Sequence, residues 1–520
     1  MIRLQERVQV RRPTADCYRY MLDMAASEQW NPAVENARKS TPGPVGRQSR
    51  FEVDYRFAGR QRAFGYELVD TDPGRSLSLR GQGPDASARE HIEFRPGADE
   101  TFTEILYTLD LDVGGLAERL QAIIKPWLTA MGHRAMEDLR RALEPSRVEE
   151  PGVWQWLRYR ALLPAALEFS RLGYQSMPDR GLSDFIDGRI VVVTGATGGL
   201  GLAAAKELSR LGATLILVGR DRERLRQAQN AVRAFSGCGV DALHTVEADL
   251  SRLEEVRLAA TRIHALTPEV HGLINNAGAL FNERDLTTEG TERTLAVNLL
   301  APYLLTEKLL PALERGQGRV VNVASGGLYL QALHLDDMEF ENERFDGAKA
   351  YARAKRALVA QTEHWAEQHP GVRFNSMHPG WADTPGVAAS LPVFHKRVGP
   401  WLRSPRQGAD TMVWLVSSPA VANISGRFWF DRRPRPTAVL PGTRVTPEQS
   451  SQLARRPLPA RPRRADLRRR FRKTLSASIS GSARCGCPWP WPLFRACPGR
   501  SPGRRRRRPR APDQRSSPRF

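Results

Sequence analysis

Residues 190–201 of this chain read IVVVTGATGGLG, and this stretch decides the fold of the longer half of the sequence. The apolar run forms a short buried strand, and the apolar residues that begin at Leu202 indicate a helix directly after the glycines. Glycine permits the tight turn and lacks the Cβ that would hold backbone N–H groups away from an anion at the helix N-terminus. Alone the stretch is weak evidence, because many strand-to-helix turns contain glycine for steric reasons.

The rest of residues 189–445 repeats this rhythm of short apolar strands and helices. Such alternation predicts an α/β Rossmann-type doubly wound parallel sheet, in which ligands bind at the carboxyl ends of the strands. Strands are predicted at residues 190–193, 215–218, 273–274, 320–323 and 372–377. Functional residues are therefore expected directly after strands.

Three motifs meet this expectation. Asn275-Asn276-Ala277-Gly278 follows the strand at 273–274, Ser325 follows the strand at 320–323, and Tyr351-Ala352-Arg353-Ala354-Lys355 opens a helix. Lys355 lies one helical turn from Tyr351, so the two side chains share a face. A free tyrosine has a pKa near ~10, and a nearby ammonium is expected to lower it. Such a pair suits a tyrosine that acts as a general acid/base.

In these motifs the sequence resembles the short-chain dehydrogenase/reductase family over roughly half of the chain. The resemblance implies that Asn298, Ser325, Tyr351 and Lys355 are catalytic: Ser325 hydrogen-bonds the reacting oxygen, and Asn298, in a helix predicted over 291–313, holds a water that connects Lys355 to solvent. Singly, each residue has a structural alternative, such as ending a strand or satisfying a buried backbone group.

The resemblance also implies a nicotinamide dinucleotide site. Asp249 would lie near the adenine, the loop of Asn276 would support the cofactor, and Thr384 in the Pro379-Gly380 loop would cap the nicotinamide carboxamide. The predicted cofactor-binding residues are Gly195, Thr197, Gly199, Leu200, Gly201, Arg220, Asp249, Leu250, Asn276, Ala277, Gly278, Tyr351, Lys355, Pro379, Gly380 and Thr384. Helix capping by Asp249 and turn formation by Asn276 are the structural alternatives.

Arg220 directs the choice of cofactor. It follows the second strand at the place where an NAD-selective fold has a carboxylate for the adenosine ribose, and a guanidinium there suits the 2′-phosphate of NADP. The alternative is a solvated surface arginine, because Arg222, Arg224 and Arg226 follow on an exposed helix. NADP(H) is the predicted cofactor, and no metal site is predicted.

The segment between Ser325 and Tyr351 is longer than is common in the family. Residues 326–350 include Leu328, Tyr329, Leu330 and Leu333, which we expect to line the substrate pocket. Longer versions occur in retinol-dehydrogenase-like members, so the resemblance implies, by analogy, a bulky apolar carbonyl or alcohol substrate. A homo-oligomer is left open.

Residues 1–145 have a different pattern. A strand over 2–10, a helix after Pro13, five further alternating strands and a long helix over 115–143 with a kink at Pro126 predict an α+β domain. It resembles the helix-grip fold of the START/polyketide-cyclase-like (SRPBCC) superfamily, including its Trp30-Asn31-Pro32 turn. That resemblance implies an apolar cavity, lined by some of Phe51, Tyr55, Phe57, Phe64, Tyr66, Tyr107, Trp127 and Met131. The alternative is that these side chains fill a core.

Residues 146–188 are predicted to be a linker with short helices, whose aromatic first half docks on the next domain rather than on a membrane. Residues 446–520 are predicted to be a disordered Arg/Pro-rich tail. The positive charge concentrates there, because residues 455–520 hold 21 of the 78 Lys and Arg residues and two of the 57 acidic residues. The folded part is thus nearly neutral, and the tail is either a genuine extension or a wrong reading frame.

These observations predict a cytoplasmic NADP-dependent oxidoreductase with an N-terminal hydrophobic ligand-binding domain. It would have no transmembrane segment and no specific nucleic-acid partner. Two other classes stay open. One is a lipid or polyketide carrier whose reductase fold is non-catalytic, and the other is a nucleic-acid binder that acts through the basic tail.

Overall fold

Two β-sheets organise the chain in the computed structural model. The structure describes residues 1–57, 60–97, 99, 101–113, 121–144, 148, 167–177 and 180–455. The aromatic linker residues 151–166 and the tail from residue 456 lie outside this range, so the predictions made for them stay predictions.

The N-terminal sheet is antiparallel, with the strand order β1-β7-β6-β5-β4-β3-β2. Its strands are β1 (Ile2–Val10), β2 (Val34–Lys39), β3 (Arg50–Phe57), β4 (Arg60–Asp72), β5 (Ser76–Gln82), β6 (Ala86–Pro96) and β7 (Thr103–Val113). Its helices are α1 (Thr14–Leu22), α2 (Ser27–Trp30) and the long α3 (Gln121–Leu143). Pro126 lies within α3, as predicted.

Alternate residues of each strand face the core of this domain, and α3 covers it. Met136, Leu139 and Leu143 of α3 are buried in the same cluster as Phe51 and Leu68 of the sheet. The predicted sheet with a long final helix is confirmed. Strand β2 was not predicted, because only its Val34 and Ala37 are buried among polar residues and the apolar alternation is too weak to detect.

The second sheet has the order β10-β9-β8-β11-β12-β13-β14-β15, parallel except for its last strand. Its strands are β8 (Ile190–Thr194), β9 (Thr214–Gly219), β10 (Leu243–Glu247), β11 (Gly272–Asn275), β12 (Arg319–Val323), β13 (Arg373–Met377), β14 (Phe428–Phe430) and β15 (Arg433–Arg435). The strand order reverses beside β8, and that switch point is where a doubly wound sheet opens a crevice for a ligand.

Helices cover both faces of the second sheet. They are α4 (Arg171–Gln175), α5 (Gly199–Arg210), α6 (Arg222–Ser236), α7 (Leu253–Leu266), α8 (Arg293–Leu295), α9 (Ala301–Arg315), α10 (Gly347–Gln368), α11 (Pro385–Ser390), α12 (Pro392–Val398), α13 (Pro405–Ser417) and α14 (Pro447–Arg455). A π-helical turn, Ala296–Leu300, joins α8 to α9. One large apolar cluster lies on each face, so the Rossmann-type fold predicted from the strand rhythm is confirmed.

Ion pairs join the two domains. Arg406 of α13 contacts Glu28 of α2 and Glu207 of α5, at 2.8 Å in each case. Glu207 is 2% exposed and also pairs with Arg210 at 2.9 Å. A hydrogen bond also supports the junction, in which the backbone N–H of Leu182 donates to the Gln29 side chain over 2.9 Å. The C-terminal end of α5 therefore forms part of the interface between the two domains.

The C-terminal boundary differs from the prediction. Helix α14 begins after residue 445, where we expected the tail, and its Leu453 is 7% exposed in a cluster with Leu358 of α10. The tail prediction was wrong for residues 447–455, because a single well-placed leucine anchors this otherwise polar helix. Within the described residues, no helix is long and apolar enough to cross a membrane, and no group of side chains could hold a metal ion.

Candidate active site

The glycine loop after β8 forms an open cradle. Gly195 has φ +65° and Gly199 has φ +52°, backbone conformations that side chains with a Cβ rarely adopt. A Cβ on Gly201 would lie 2.3 Å from the Gly195 carbonyl oxygen, so only glycine permits α5 to start this close to the strand. A Cβ on Gly198 would meet no atom within 4 Å. The backbone N–H groups at the start of α5 are thus accessible to a phosphate, and the residues present fit a dinucleotide.

Asn276 ties the cradle to the neighbouring strand. Its side-chain Nδ2 donates to the Thr194 carbonyl over 2.9 Å, and the backbone N–H groups of Asn276 and Ala277 both donate to Thr194 Oγ1 over 3.0 Å. One amide and one hydroxyl thus fix the carboxyl ends of β8 and β11, which is the turn-forming role of Asn276, and the support of a cofactor by its loop stays a prediction.

Arg220 and Asp221 have separate roles at the end of β9. The Asp221 carboxylate accepts from Arg224 N over 2.9 Å and caps α6. Arg220 is exposed directly after the strand. Thr197 of the cradle lies beside this point, because a Cβ on Gly219 would come within 2.8 Å of its methyl group. The guanidinium is therefore the charged group that the strand end presents.

The remaining predicted cofactor residues are placed by local turns and core packing. Asp249 accepts from Ser251 N over 3.0 Å in a local turn, and the following helix begins after Arg252 without a side-chain cap, so Asp249 does not cap it. Leu250 packs on the core beneath the sheet, and Leu200 packs against α13, where a Cβ on Gly408 would be 2.6 Å from it. Gly380, with φ +73°, follows Pro379 and turns the loop that leads to Thr384.

Thr384 brings the two sides of the crevice together. Its hydroxyl accepts from Val387 N over 3.3 Å and caps α11. Its methyl group lies 3.3 Å from where a Cβ on Gly199 would stand, so this loop approaches the glycine cradle directly. The predicted role of Thr384, to cap the nicotinamide carboxamide, stays a prediction.

Tyr351, Lys355 and Ser325 meet at the ends of β12 and α10. Lys355 is 1% exposed, and its Nζ donates to the Val323 carbonyl over 2.7 Å and lies 5.6 Å from the centre of the Tyr351 ring. Ser325 forms a hydrogen bond with Tyr351. Residues that are up to 30 positions apart in sequence are thus gathered as the motifs predicted.

Asn298 occupies the π-helical turn between α8 and α9. Its Nδ2 donates to the Ala279 carbonyl over 2.7 Å and to the Thr294 carbonyl over 2.9 Å. A Cβ on Gly278 would lie 2.8 Å from Asn298 Oδ1 and 3.3 Å from Lys355 Nζ, so these groups are neighbours. The predicted continuous helix over 291–313 was wrong at this turn, and π turns of this kind are frequent at functional sites.

The protein groups alone do not lower the pKa of Tyr351. Burial raises that pKa to about 12, against the smaller opposite effect of the hydrogen bond with Ser325. Burial also lowers the pKa of Lys355 to about 7, since no acidic group compensates its charge. The expected activation of the phenol by Lys355 is therefore absent from the protein alone, because the same apolar surroundings disfavour the charge on both side chains.

A strap that precedes the second domain contacts the site and was not predicted. Phe169 stacks edge-on against His378, with ring centres 4.5 Å apart, and its carbonyl accepts from Trp381 N over 2.8 Å. Its ring lies 3.2 Å from where a Cβ on Gly326 would be, directly after Ser325. Arg403, 1% exposed, fixes this strap by donating to the Glu168 carbonyl over 2.6 Å. No sequence motif carries such a contact over this separation.

The insertion after Ser325 is partly core rather than pocket wall. Leu328 is fully buried in a cluster with Val359 and Phe428, and Leu333 is 6% exposed in another cluster. Leu330 is instead 54% exposed. The expectation that all of these leucines line a pocket was wrong for Leu328 and Leu333, because the segment folds back on α10 and β14.

This fold and this constellation define an oxidoreductase that uses a nicotinamide dinucleotide, and the chain belongs to the short-chain dehydrogenase/reductase family. Residues 189–392 match the family model described as short chain dehydrogenase, and residues 1–144 match the one described as polyketide cyclase/dehydrase and lipid transport. Both resemblances seen in the sequence are confirmed.

Named relatives share the second domain. The chain is 43% identical to human dehydrogenase/reductase SDR family member 12 over 273 residues, which is 51% of this chain and 85% of the relative. It is 36% identical to mouse polyprenol dehydrogenase, over 47% of this chain and 76% of the relative. It is 33% identical to mouse retinol dehydrogenase 14, over 52% and 86%. Each relative matches about half of the chain.

Proposed function

We propose that the chain is an NADP(H)-dependent reductase or dehydrogenase of a bulky apolar carbonyl or alcohol, and that its N-terminal domain binds an apolar ligand. The observation that carries the proposal is the gathering of Tyr351, Ser325, Lys355 and Asn298 beside the glycine cradle. When bound, the dinucleotide supplies or accepts the hydride. Every other requirement of the reaction falls to side chains of this chain.

The reacting oxygen would lie between Ser325 and Tyr351. In reduction the phenol donates its proton to that oxygen, and in oxidation it takes the proton back. Lys355 donates to the Val323 carbonyl, and this hydrogen bond fixes its position. From there it can return a proton to Tyr351 through the groups around Asn298. A lysine with a pKa of about 7 exchanges a proton readily at neutral pH, which suits this relay.

Arg220 supports the preference for NADP(H). The exposed guanidinium follows β9, while the only nearby carboxylate in the sequence motif, Asp221, is held as a helix cap. A 2′-phosphate would therefore find a cation, whereas an unphosphorylated ribose would find no acceptor in this pair.

The apolar substrate class rests on the long insertion and on the named relatives. Leu330 and Tyr329 remain beside Ser325 and leave an apolar rim, even though Leu328 and Leu333 are buried. Two relatives carry names that specify polyprenol and retinol, both apolar alcohols. The same chemistry fits an N-terminal domain whose family description includes lipid transport.

A kinetic comparison of cofactors tests the proposal. The full-length protein should oxidise NADPH in the presence of long-chain aldehydes, with kcat/KM rising with chain length. Arg220→Ala should weaken NADPH binding by about 10- to 100-fold, because a bidentate phosphate contact is worth ~1.5 to 3 kcal/mol, and should leave NADH binding unchanged.

Arg226→Ala is the matched control, since Arg226 is already paired with Glu223 on the same exposed helix. Equal loss of both cofactors in Arg220→Ala, or an effect of the same size in Arg226→Ala, would contradict the assignment. A wild-type protein that binds NADPH but turns over no aldehyde or alcohol would instead favour a ligand carrier with a non-catalytic reductase fold.

A further inference from the structure

A buried acid lies in the middle of the N-terminal sheet, outside the oxidoreductase site. Glu90 of β6 is 5% exposed and stands opposite Leu79 of β5 and Leu109 of β7, so its immediate neighbours on the sheet are apolar. Among the described residues no Lys, Arg or His forms an ion pair with it. A buried carboxyl without a cation is costly to keep in a core, which makes it a candidate for contact with a ligand.

Tyrosine hydroxyls surround this carboxyl. Tyr107 OH donates to Glu90 Oε2 over 2.5 Å, and Tyr66 lies close enough to the carboxyl to lower its pKa. Tyr55 OH donates in turn to Tyr66 OH over 3.2 Å. Three phenols from three strands therefore converge on one acid, and burial raises the pKa of Glu90 above its ordinary range.

Glycines make room for this cluster. A Cβ on Gly81 would lie 2.7 Å from the Tyr66 ring, and a Cβ on Gly83 would lie 2.7 Å from the Phe64 ring. Both rings therefore lie across backbone that has no side chain, and the Tyr66 hydroxyl reaches over β5 towards Glu90 on β6.

The cluster opens toward partly exposed aromatic rings. Glu90 and Tyr66 are buried, whereas Tyr55, Phe64 and Tyr107 retain partial exposure although they belong to the same cluster. Phe64 packs edge-on against Tyr55 with ring centres 5.7 Å apart, and Trp30 packs edge-on against Tyr107 at 6.5 Å. An apolar molecule that enters along these rings would reach the acid with its far end.

We propose that Glu90, Tyr66 and Tyr107 form the polar end of a binding site in the N-terminal domain, which takes the oxygen of a neutral apolar alcohol or carbonyl compound. This inference rests on the proposed function, because the ligand class is the pair of molecules that the second domain would interconvert. The phenol hydroxyls can donate and accept hydrogen bonds, and the carboxyl accepts them. The cluster can therefore bind a hydroxyl or a carbonyl oxygen, which suits both members of a redox pair.

Three fluorescent probes with one apolar body test the site in the full-length protein. They are 4-(1-pyrenyl)butanol, 1-butylpyrene and 4-(1-pyrenyl)butylammonium. Wild type should bind the alcohol about tenfold more tightly than the hydrocarbon, as expected for one or two buried hydrogen bonds. Glu90→Leu should abolish this preference. Glu90→Gln should keep it within about threefold, because an amide also donates and accepts.

Glu93→Gln is the matched control, since it lies on the same strand and is paired with Arg95 in solvent. The proposal is overturned if wild type does not prefer the alcohol, or if the preference survives in Glu90→Leu. It is also overturned if the ammonium probe binds most tightly and Glu90→Gln loses that binding as fully as Glu90→Leu, because the site would then serve a cation. NADPH turnover, measured on the same samples, reports separately on the oxidoreductase.

Discussion

Each domain buries an ionisable side chain that has no ion pair among the described residues, and the signs are opposite. In the second domain Lys355 is 1% exposed and donates to a backbone carbonyl, and in the N-terminal domain Glu90 is 5% exposed and accepts from Tyr107. Some other buried charges are paired, as Arg432 is with Asp410 at 2.6 Å and Arg403 with Asp431 at 2.5 Å, and others are held by the backbone, as Glu292 is by the N–H groups of Thr294 and Leu295. Burial alone therefore does not explain Lys355 and Glu90.

The difference between paired and unpaired burial separates architecture from sites that await a molecule. A buried ion pair completes its own electrostatics, whereas a lone buried charge is relieved when a ligand compensates it or when the group becomes neutral, by proton loss at Lys355 and by proton gain at Glu90. Lys355 of the oxidoreductase centre and Glu90 of the N-terminal domain are both buried without an ion pair, although sequence motifs mark only Lys355.

The largest effect is expected from the oxidoreductase centre. Tyr351→Phe keeps the ring but removes the transferable proton, so kcat should fall by ~10² to 10⁴-fold while NADPH affinity stays nearly unchanged. Lys355→Ala should reduce both. Tyr303→Phe, which alters a tyrosine that stacks on Trp365 far from the motif, should retain activity. Wild-type turnover by Tyr351→Phe would show that Tyr351 is not the acid/base of the second domain.

Stability against pH should show the opposite signs of the two buried groups. Burial holds the pKa of Lys355 near 7 instead of 10.5, so its charge costs stability below about pH 7, and this cost is relieved as the pH rises toward 10.5. Lys355→Met should therefore stabilise the protein most at about pH 6 and least at about pH 10, with a maximum of the order of a few kcal/mol.

Glu90→Leu should show the reverse trend. The raised pKa of Glu90 means that the folded protein holds its proton longer than the unfolded chain, so stability is lost as the pH rises above about 4.5. The stabilisation by Glu90→Leu should accordingly grow from about pH 4 to neutral pH in thermal melts. If the stabilisation by Lys355→Met and by Glu90→Leu changed with pH in the same direction, the two buried groups would not have opposite effects on stability.

The smallest effect concerns the end of the chain. A chain that stops after Thr446 loses α14 and the burial of Leu453 against α10, and its unfolding free energy should drop by about 2 kcal/mol. A chain that stops after Arg455 keeps this contact and should melt like the full-length protein. Equal melting temperatures for the two truncations would show that α14 contributes nothing to the second domain.

Much of the fold could be predicted because strong periodicity coincides with burial. All five strands predicted in the second domain lie in its sheet, and the long final helix of the first domain lies where its apolar spacing indicated. Strand β2 and helix α14 escaped because each depends on one or two buried side chains, Val34, Ala37 and Leu453, in polar surroundings. Tertiary contacts, which a local pattern does not contain, decide such elements.

The site residues also differ in whether the sequence alone could predict them. Tyr351, Lys355, Ser325 and Asn298 could be found because their chemistry demands fixed types after known elements. Trp127 was expected among the cavity-lining residues, yet it is 45% exposed, because Leu128 and not Trp127 is the α3 residue turned to the sheet. Glu90 was missed because an acid among alternating strand residues reads as solvent-facing until the register of the sheet is known.

Helix α5 has a further consequence for how the two domains can be recombined. It starts in the glycine cradle and ends at Glu207 and Arg210, where Arg406 reaches across to Glu28. The N-terminal domain is therefore not an interchangeable cassette. A transplant of another helix-grip domain onto this reductase would leave Arg406 paired only with Glu207, unless the donor carries an acid at the position of Glu28 in its second helix. The ion pair across the junction therefore limits the exchange of the N-terminal domain.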